Sequence, residues 1–335
     1  SQVHGEGGAA IIRPAGDGVW ASFSSQQYHR SSPLKAIRAM APQAKVTFRD
    51  GRYISDAVEK ARQAEVAIIF ATQWQAEGLD VPDLSLPDGQ DALIAMVAEA
   101  NPNTIVVLET GGPVLMPWLD KTAAVIEAWY PGARGGEAIA SILFGDSNPS
   151  GRLPITFPAR LDQLPRPKLD GASELEPSFT GEPPTPDAEL VVDFDIEGSD
   201  LGYRWNARKG YRALFPFGFG LSYTSFASKG LRVTGDKASF TVTNTGKRKG
   251  DYVAQLYLVS RGGETRQRLA GFQRVSLEPG ASRNITLTID PRILADWKDG
   301  GWSVPAGNYG FALGQNAEDL GPVVTVKMST RNWKD

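Results

Sequence analysis

Apolar and polar positions repeat with two different periods in the two halves of the chain. AEVAIIFA (64–71) is a short apolar run, which predicts a strand buried on both faces. NTIVVLE (103–109) and AAVIEAWY (123–130) are two more such runs, the first rich in the β-branched residues that favour strands. Helical patterns lie around them. ISDAVEKARQA (54–64) precedes the first run, and DGQDALIAMVAEA (88–100) follows it with Asp88 as the expected N-cap. GGEAIASILFG (135–145) reads as a helix closed by Gly145. Strands alternating with helices predict an α/β sandwich, a mostly parallel sheet with helices on both faces.

From residue 238 the period drops to two. ASFTVTNTG (238–246), DYVAQLYLVS (251–260), RNITLTID (283–290), GNYGFALGQ (307–315) and VVTVKM (323–328) alternate apolar with polar positions, and turn signals such as EPG (278–280) and PAG (305–307) separate them. Short alternating strands with almost no helix predict an all-β sandwich of fibronectin type III or immunoglobulin type. Between the two patterns, residues 162–200 hold eleven Asp or Glu and six Pro against Arg166 and Lys168 alone. That composition predicts a solvated linker or an extended surface crossing, with docking against a basic face as the alternative. The expected division is an α/β domain over 1–160, an acidic Pro-rich linker over 161–210 and a β-sandwich over 211–335.

Charge and composition narrow the functional classes. Lys and Arg number 35 against 38 Asp and Glu, giving −3, so no basic footprint for nucleic acid is present. No apolar run approaches the length of a membrane-spanning helix. Cys is absent and His occurs twice, as His4 and His29. Thiol nucleophiles and cysteine zinc sites are thereby excluded, and neither a His-rich metal site nor a Ser-His-Asp triad is expected. No cofactor or metal is expected. The 335 residues open on Ser1 in a Gly-rich stretch, which reads as a chain cut from a longer one.

Ligands of open α/β sheets sit beyond the carboxyl ends of the strands, which singles out TQWQAEGLD (72–80) and ETGGP (109–113). In the first loop Trp74 offers a flat apolar face, Gln73 and Gln75 offer hydrogen bonds, and Glu77 and Asp80 offer proton transfer. A flat aromatic with polar neighbours suits a sugar ring, and glycoside cleavage needs carboxyl groups as acid and as base or nucleophile. A solvated loop with one Trp packed on the domain edge is the competing reading. ETGGP lacks the spacing of a nucleotide loop, so its glycines are expected to permit a tight strand-to-helix turn. PGARGGEA (131–138) reads as a turn with close helix–sheet packing, with an anion held by Arg134 at the helix start as the alternative. His29 reads as structural, Asp296-Trp297 as a turn, and Phe215, Phe217 and Phe219 as packing at the domain junction.

Five stretches carry a more specific signal: AEGLDVPDLSLPDGQDALI (76–94), NPNTIVVLETGGPVLMPWL (101–119), AWYPGARGGEAIASILFGDSNPSGRLPITFP (128–158), LFPFGFGLSYTSF (214–226) and TVTNTGKRKGDYVAQLYL (241–258). Together they resemble the C-terminal half of a family 3 glycoside hydrolase, mostly β-glucosidases and exo-β-glucanases. The resemblance implies a (β/α)8 barrel ahead of the α/β sandwich and a fibronectin type III-like domain after it. It also implies a retaining mechanism, with a barrel Asp as nucleophile and a sandwich-domain Glu as acid/base. The family's Glu-Gly-x-Asp loop matches Glu77-Gly78-Leu79-Asp80, so Glu77 takes the acid/base role, with Trp74, Gln75 and Asp80 as expected sugar contacts. Val81 stands where the family often has Arg.

No barrel motif occurs in this sequence, and the opening strand of the sandwich is expected to be missing. The implied substrate is a β-linked gluco-oligosaccharide, and the implied partner is the absent barrel. A β-xyloside or an N-acetylglucosaminide is the alternative substrate, and a non-catalytic carbohydrate-binding or docking module the alternative class. The chain alone is expected to be inactive. Its bare sheet edge predicts dimerisation or aggregation, and the resemblance implies a periplasmic or secreted location.

Overall fold

The computed structural model describes residues 10–12, 26–28, 31–73, 75, 81, 83–168 and 192–334. The chain forms two compact units. The first comprises residues 1–147 with 168–191, the second 148–167 with 192–335.

In the first unit, β1(Ala10–Ile12) pairs antiparallel with β2(Gln26–Tyr28). Next come α1(Pro33–Met40), α2(Ile54–Arg62), β3(Ala67–Thr72), α3(Gln90–Ala100), β4(Thr104–Glu109), β5(Ala124–Glu127) and α4(Gly135–Leu143). Strands β3, β4 and β5 form a parallel sheet in that order. Val106, Val107 and Leu108 of β4 are fully buried, as an unbroken apolar run on a central strand requires. Helices α2 and α3 meet through Val58, Ala61 and Val97, with Ala67 and Ile69 of β3 packed against that cluster. Buried Asn101 closes the layer. Its Nδ2 donates to the Ala61 and Ala64 carbonyls, both at 2.9 Å, which adds a side-chain partner for carbonyls at and just past the end of α2.

Two local expectations differ from the structure. Asp88 does not cap α3. It adopts φ 58° in the turn, and Gly89, at φ 69°, occupies the cap position. Strand β5 ends at Glu127 rather than running to residue 130, because Trp129 turns left-handed at φ 52°. Helix α1 is an addition. Ser32 caps it by accepting from Lys35 N–H at 3.3 Å, and Pro33 stands in its first turn.

The second unit holds α5(Tyr203–Lys209), β6(Phe226–Thr234), β7(Lys237–Asn244), β8(Gly250–Arg261), β9(Glu264–Leu277), β10(Ser282–Thr288), β11(Asp296–Lys298), β12(Gly301–Val304), β13(Gly307–Gly314), β14(Val324–Met328) and β15(Arg331–Trp333). An antiparallel sheet β10-β7-β6 faces a second, β14-β13-β8-β9, over a core that includes Phe240, Val242, Tyr252, Leu256, Leu258, Ile285 and Phe311. A third small sheet runs β11-β12-β15. Its hairpin turns through Asp299 and Gly300, both at positive φ (52° and 73°), the geometry that suits a two-residue Asp-Gly loop.

Apart from Lys168, the described parts of the expected linker belong to this unit. Arg166 forks onto Glu197, with Nη2 2.6 Å from Oε1, and Trp205 of α5 is buried with its indole N–H on the Gln163 carbonyl at 2.9 Å. Residues 148–160, expected with the α/β domain, also lie in the second unit. Phe157 bridges to Phe215 as an isolated antiparallel pair. Phe215 packs edge-on to Phe157 and against Phe219, and Phe217 stacks on Tyr203 at 4.7 Å. The three phenylalanines therefore pack inside the second unit.

Candidate active site

The parallel register brings Thr72 beside Glu109 and Leu108 beside Glu127, so the three strands end together. Gln73 N–H donates to the Glu109 carbonyl at 3.1 Å, one step past the end of β3. The Gln90 side chain then serves Thr72 as a neighbouring strand would. Its Oε1 accepts from Thr72 N–H and its Nε2 donates to the Thr72 carbonyl, each at 2.8 Å. The connection that follows Gln73 thus leaves from a fixed point.

Two carboxylates close the sheet. Glu127 accepts from Trp129 N–H at 2.8 Å and from the Thr110 hydroxyl at 3.3 Å. Burial outweighs these bonds and pushes the Glu127 carboxyl up to about 7. Burial also raises Glu109 above the usual carboxylate range. Neither residue was singled out from sequence. The available signal was an acidic residue ending a β-branched apolar run, in TIVVLE and in AVIE.

Tyr130 ties the loops together. Its hydroxyl donates to the Gln73 carbonyl at 2.7 Å and accepts from Gln75 N–H at 3.0 Å. Burial raises its phenol above the ordinary value, so the donated proton stays in place. Gly111 lies beneath this contact. A Cβ there would stand 2.1 Å from Gln75 Oε1 and 2.9 Å from the Tyr130 hydroxyl. A side chain at Gly111 would therefore have to displace the Gln75 side chain and crowd the Tyr130 hydroxyl.

Of the expected site residues, Gln75 is described, half-buried against Gly111 and Tyr130. Trp74, Glu77 and Asp80 lie outside the described residues, as does His29. Gln73 is buried, and its Oε1 has no partner among the described residues. Arg134 forms an exposed pair with Glu137 at 3.3 Å, and Gly136 N–H is already taken by Ser31 Oγ at 2.8 Å. Helix α4 therefore starts on a protein partner, which favours close packing over anion binding. Asp296 lies in β11 and pairs with Arg261 at 2.7 Å and Arg266 at 2.6 Å, a strand position rather than the expected turn. Among the described residues no group of His, Asp or Glu is arranged to hold a metal ion, and no helix is long and apolar enough to cross a membrane.

The profile of the glycosyl hydrolase family 3 C-terminal domain matches residues 5–223. The chain belongs to glycosyl hydrolase family 3. A fibronectin type III-like domain matches residues 252–317, so the two units of this family 3 chain follow the expected order. A beta-glucosidase of Rhizobium radiobacter is 39% identical over 295 residues, covering 82% of this chain and 34% of the relative. A thermostable beta-glucosidase B of Acetivibrio thermocellus is 37% identical over 291 residues, covering 81% and 36%. Among solved structures, DesR, a beta-glucosidase from Streptomyces venezuelae in complex with D-glucose, is 41% identical with a TM-score of 0.69, covering 82% of this chain and 35% of that one. The family 3 beta-glucosidase of Bifidobacterium adolescentis is 30% identical with a TM-score of 0.74, covering 90% and 45%. The family 3 chain thus spans about a third of the length of the curated relatives it matches.

Proposed function

We propose that this chain is the C-terminal portion of a retaining β-glucosidase that releases terminal non-reducing β-D-glucosyl residues from oligosaccharides. One observation carries the reading. The Glu77-Gly78-Leu79-Asp80 sequence falls, in chain order, in the connection that follows β3 and precedes α3, in a family 3 chain whose relatives are named beta-glucosidases. Glu77 is the acid/base, Trp74, Gln75 and Asp80 contact the sugar, and the nucleophile Asp lies on a (β/α)8 barrel outside this chain.

In the first step the barrel carboxylate attacks the anomeric carbon. The glycosidic C–O bond breaks, and the leaving oxygen takes the Glu77 proton. In the second, water attacks the same carbon, gives its proton to Glu77 and displaces the nucleophile. Glu77 must hold a proton near neutral pH, although a free Glu titrates near 4.3. The negative nucleophile beside it raises that value, and glycosylation of the nucleophile removes the charge so that Glu77 can then act as base. A single carboxylate cannot run this scheme, so the chain alone is inactive and its bare surface favours dimerisation. A periplasmic or secreted location is part of the same proposal and rests on the family 3 resemblance alone.

The test uses the chain joined to its barrel. Glu77→Ala should slow substrates with poor leaving groups severely and activated phenyl glucosides far less in kcat/KM, which reports glycosylation. Added azide should yield a β-glycosyl azide. Equal slowing of all substrates with no effect of azide would remove Glu77 from the role.

A further inference from the structure

We propose that Tyr130 is a positioning residue for the loop that carries Glu77, gripping the start of that loop through its hydroxyl. The inference rests on the reading of Glu77 as the acid/base. Both described hydrogen bonds of the hydroxyl go to one segment: it donates to the Gln73 carbonyl at 2.7 Å and accepts from Gln75 N–H at 3.0 Å. Both partners are backbone groups, so the contact fixes the course of the main chain two residues before Glu77.

Three features hold Tyr130 in place for this task. Trp129 bends left-handed at φ 52°, which turns the chain leaving β5 back over the sheet end. The Trp129 N–H is anchored on Glu127 Oε1 at 2.8 Å, and Glu127 in turn takes the Thr110 hydroxyl. Gly111 leaves the space in which Gln75 and the Tyr130 hydroxyl meet. A left-handed non-glycine residue is strained, and it persists only where its surroundings enforce it. Packing is not what the Tyr130 side chain supplies, since 53% of the residue is exposed. Its described hydrogen bonds are made at its tip.

A group held within a few tenths of an ångström of its productive position acts far better than one left mobile. Removing the Tyr130 hydroxyl should therefore loosen the loop and weaken proton delivery without unfolding the sheet. In Tyr130→Phe of the 335-residue chain, backbone amides over residues 73–81 should exchange with deuterium about tenfold faster, the scale of losing a net hydrogen bond. Amides of 104–109 should stay protected, and the melting temperature should stay close to the parent's. Gly111→Ala disturbs the same contact from below and should speed exchange over the same residues. Unchanged exchange in both variants, with native circular dichroism, would overturn the proposal.

In the chain joined to its barrel, Tyr130→Phe should lower kcat/KM more for poor leaving groups than for activated phenols. An equal fall for all leaving groups would make Tyr130 a general support and overturn the positioning role. If Glu77→Ala shows no leaving-group dependence, the acid/base reading fails on its own, and exchange in the isolated chain still decides whether Tyr130 grips the loop.

Discussion

The indole N–H of Trp118 donates to Asp91 Oδ1 at 2.7 Å, and the other oxygen of that carboxylate accepts from Leu86 N–H at 3.1 Å. Trp118 is 1% exposed, so its one donor must find a partner inside the fold. Asp91, in the first turn of α3, supplies it and fixes the loop before the helix with its second oxygen. Asp91→Ala leaves the buried indole N–H unpaired and frees Leu86. Loss of about 1–3 kcal/mol is expected, read as a shift of the denaturant midpoint of the α/β unit.

Glu127 makes stability fall as pH rises. Its carboxyl titrates at about 7 in the folded chain, against the ordinary 4.5. Between those values the folded state keeps the proton and the unfolded state gives it up, so stability is fully present below about pH 4.5 and is lost as pH rises toward 7. Above 7 no further change comes from this group. Glu127→Gln should gain on the parent by an amount on the order of 3 kcal/mol between pH 4.5 and 8. Urea titrations of both proteins across that range check the sign. A parent that gains stability toward pH 8 relative to the variant would contradict it.

Three tryptophans stand in one cross-strand row, Trp297 opposite Trp302 and Trp302 opposite Trp333. Trp302 and Trp333 are near-parallel at 6.2 Å, and Trp297 meets Trp302 edge-on at 5.1 Å. The middle ring touches both others and packs on the sandwich core. Trp302→Ala should cost about 3 kcal/mol or more. Trp297→Ala, whose residue is 56% exposed, should cost under about 1 kcal/mol. Thermal melts of the two variants should keep that order.

Gly218 sits at φ 81°, and a Cβ there would stand 2.1 Å from Gln255 Oε1. Gln255 cannot swing aside cheaply, because its Nε2 donates to the Gly218 carbonyl at 2.9 Å and its Oε1 accepts from the Tyr257 hydroxyl at 2.6 Å. Gly218→Ala combines backbone strain with a broken buried network, and a loss of about 2–4 kcal/mol is expected in chemical denaturation.

The strands that read clearly from sequence were those whose burial is uniform. TIVVLE is buried on both faces and shows no gap, and the alternation of RNITLTID matches a strand with one wet face. Strand β9 was not read because its 14 residues are rich in Arg and Gln and its pairing with β8 shifts register twice. Each shift moves the apolar positions to the other face. Helix α1 carried its own start signal in Ser32-Pro33, yet it lacks the length that makes a helical period plain. The loop holding Glu77 was legible as a motif. The cluster of Glu127, Thr110, Tyr130 and Gln73 was not, because no local pattern says that three strands end at one level. Glu127 meets Thr110 across 17 positions and Tyr130 meets Gln73 across 57, and only the parallel register brings them together.

Gly136 has a mechanical consequence. A Cβ there would stand 2.7 Å from Ser32 C and Pro33 N, so α4 begins with its backbone against the backbone that starts α1. Side chains between helices act as cushions, since a change of rotamer absorbs a small shift. Here no cushion exists. Any side chain at position 136 would therefore have to part the start of α4 from Ser32 and Pro33, because no rotamer change can relieve a clash with backbone.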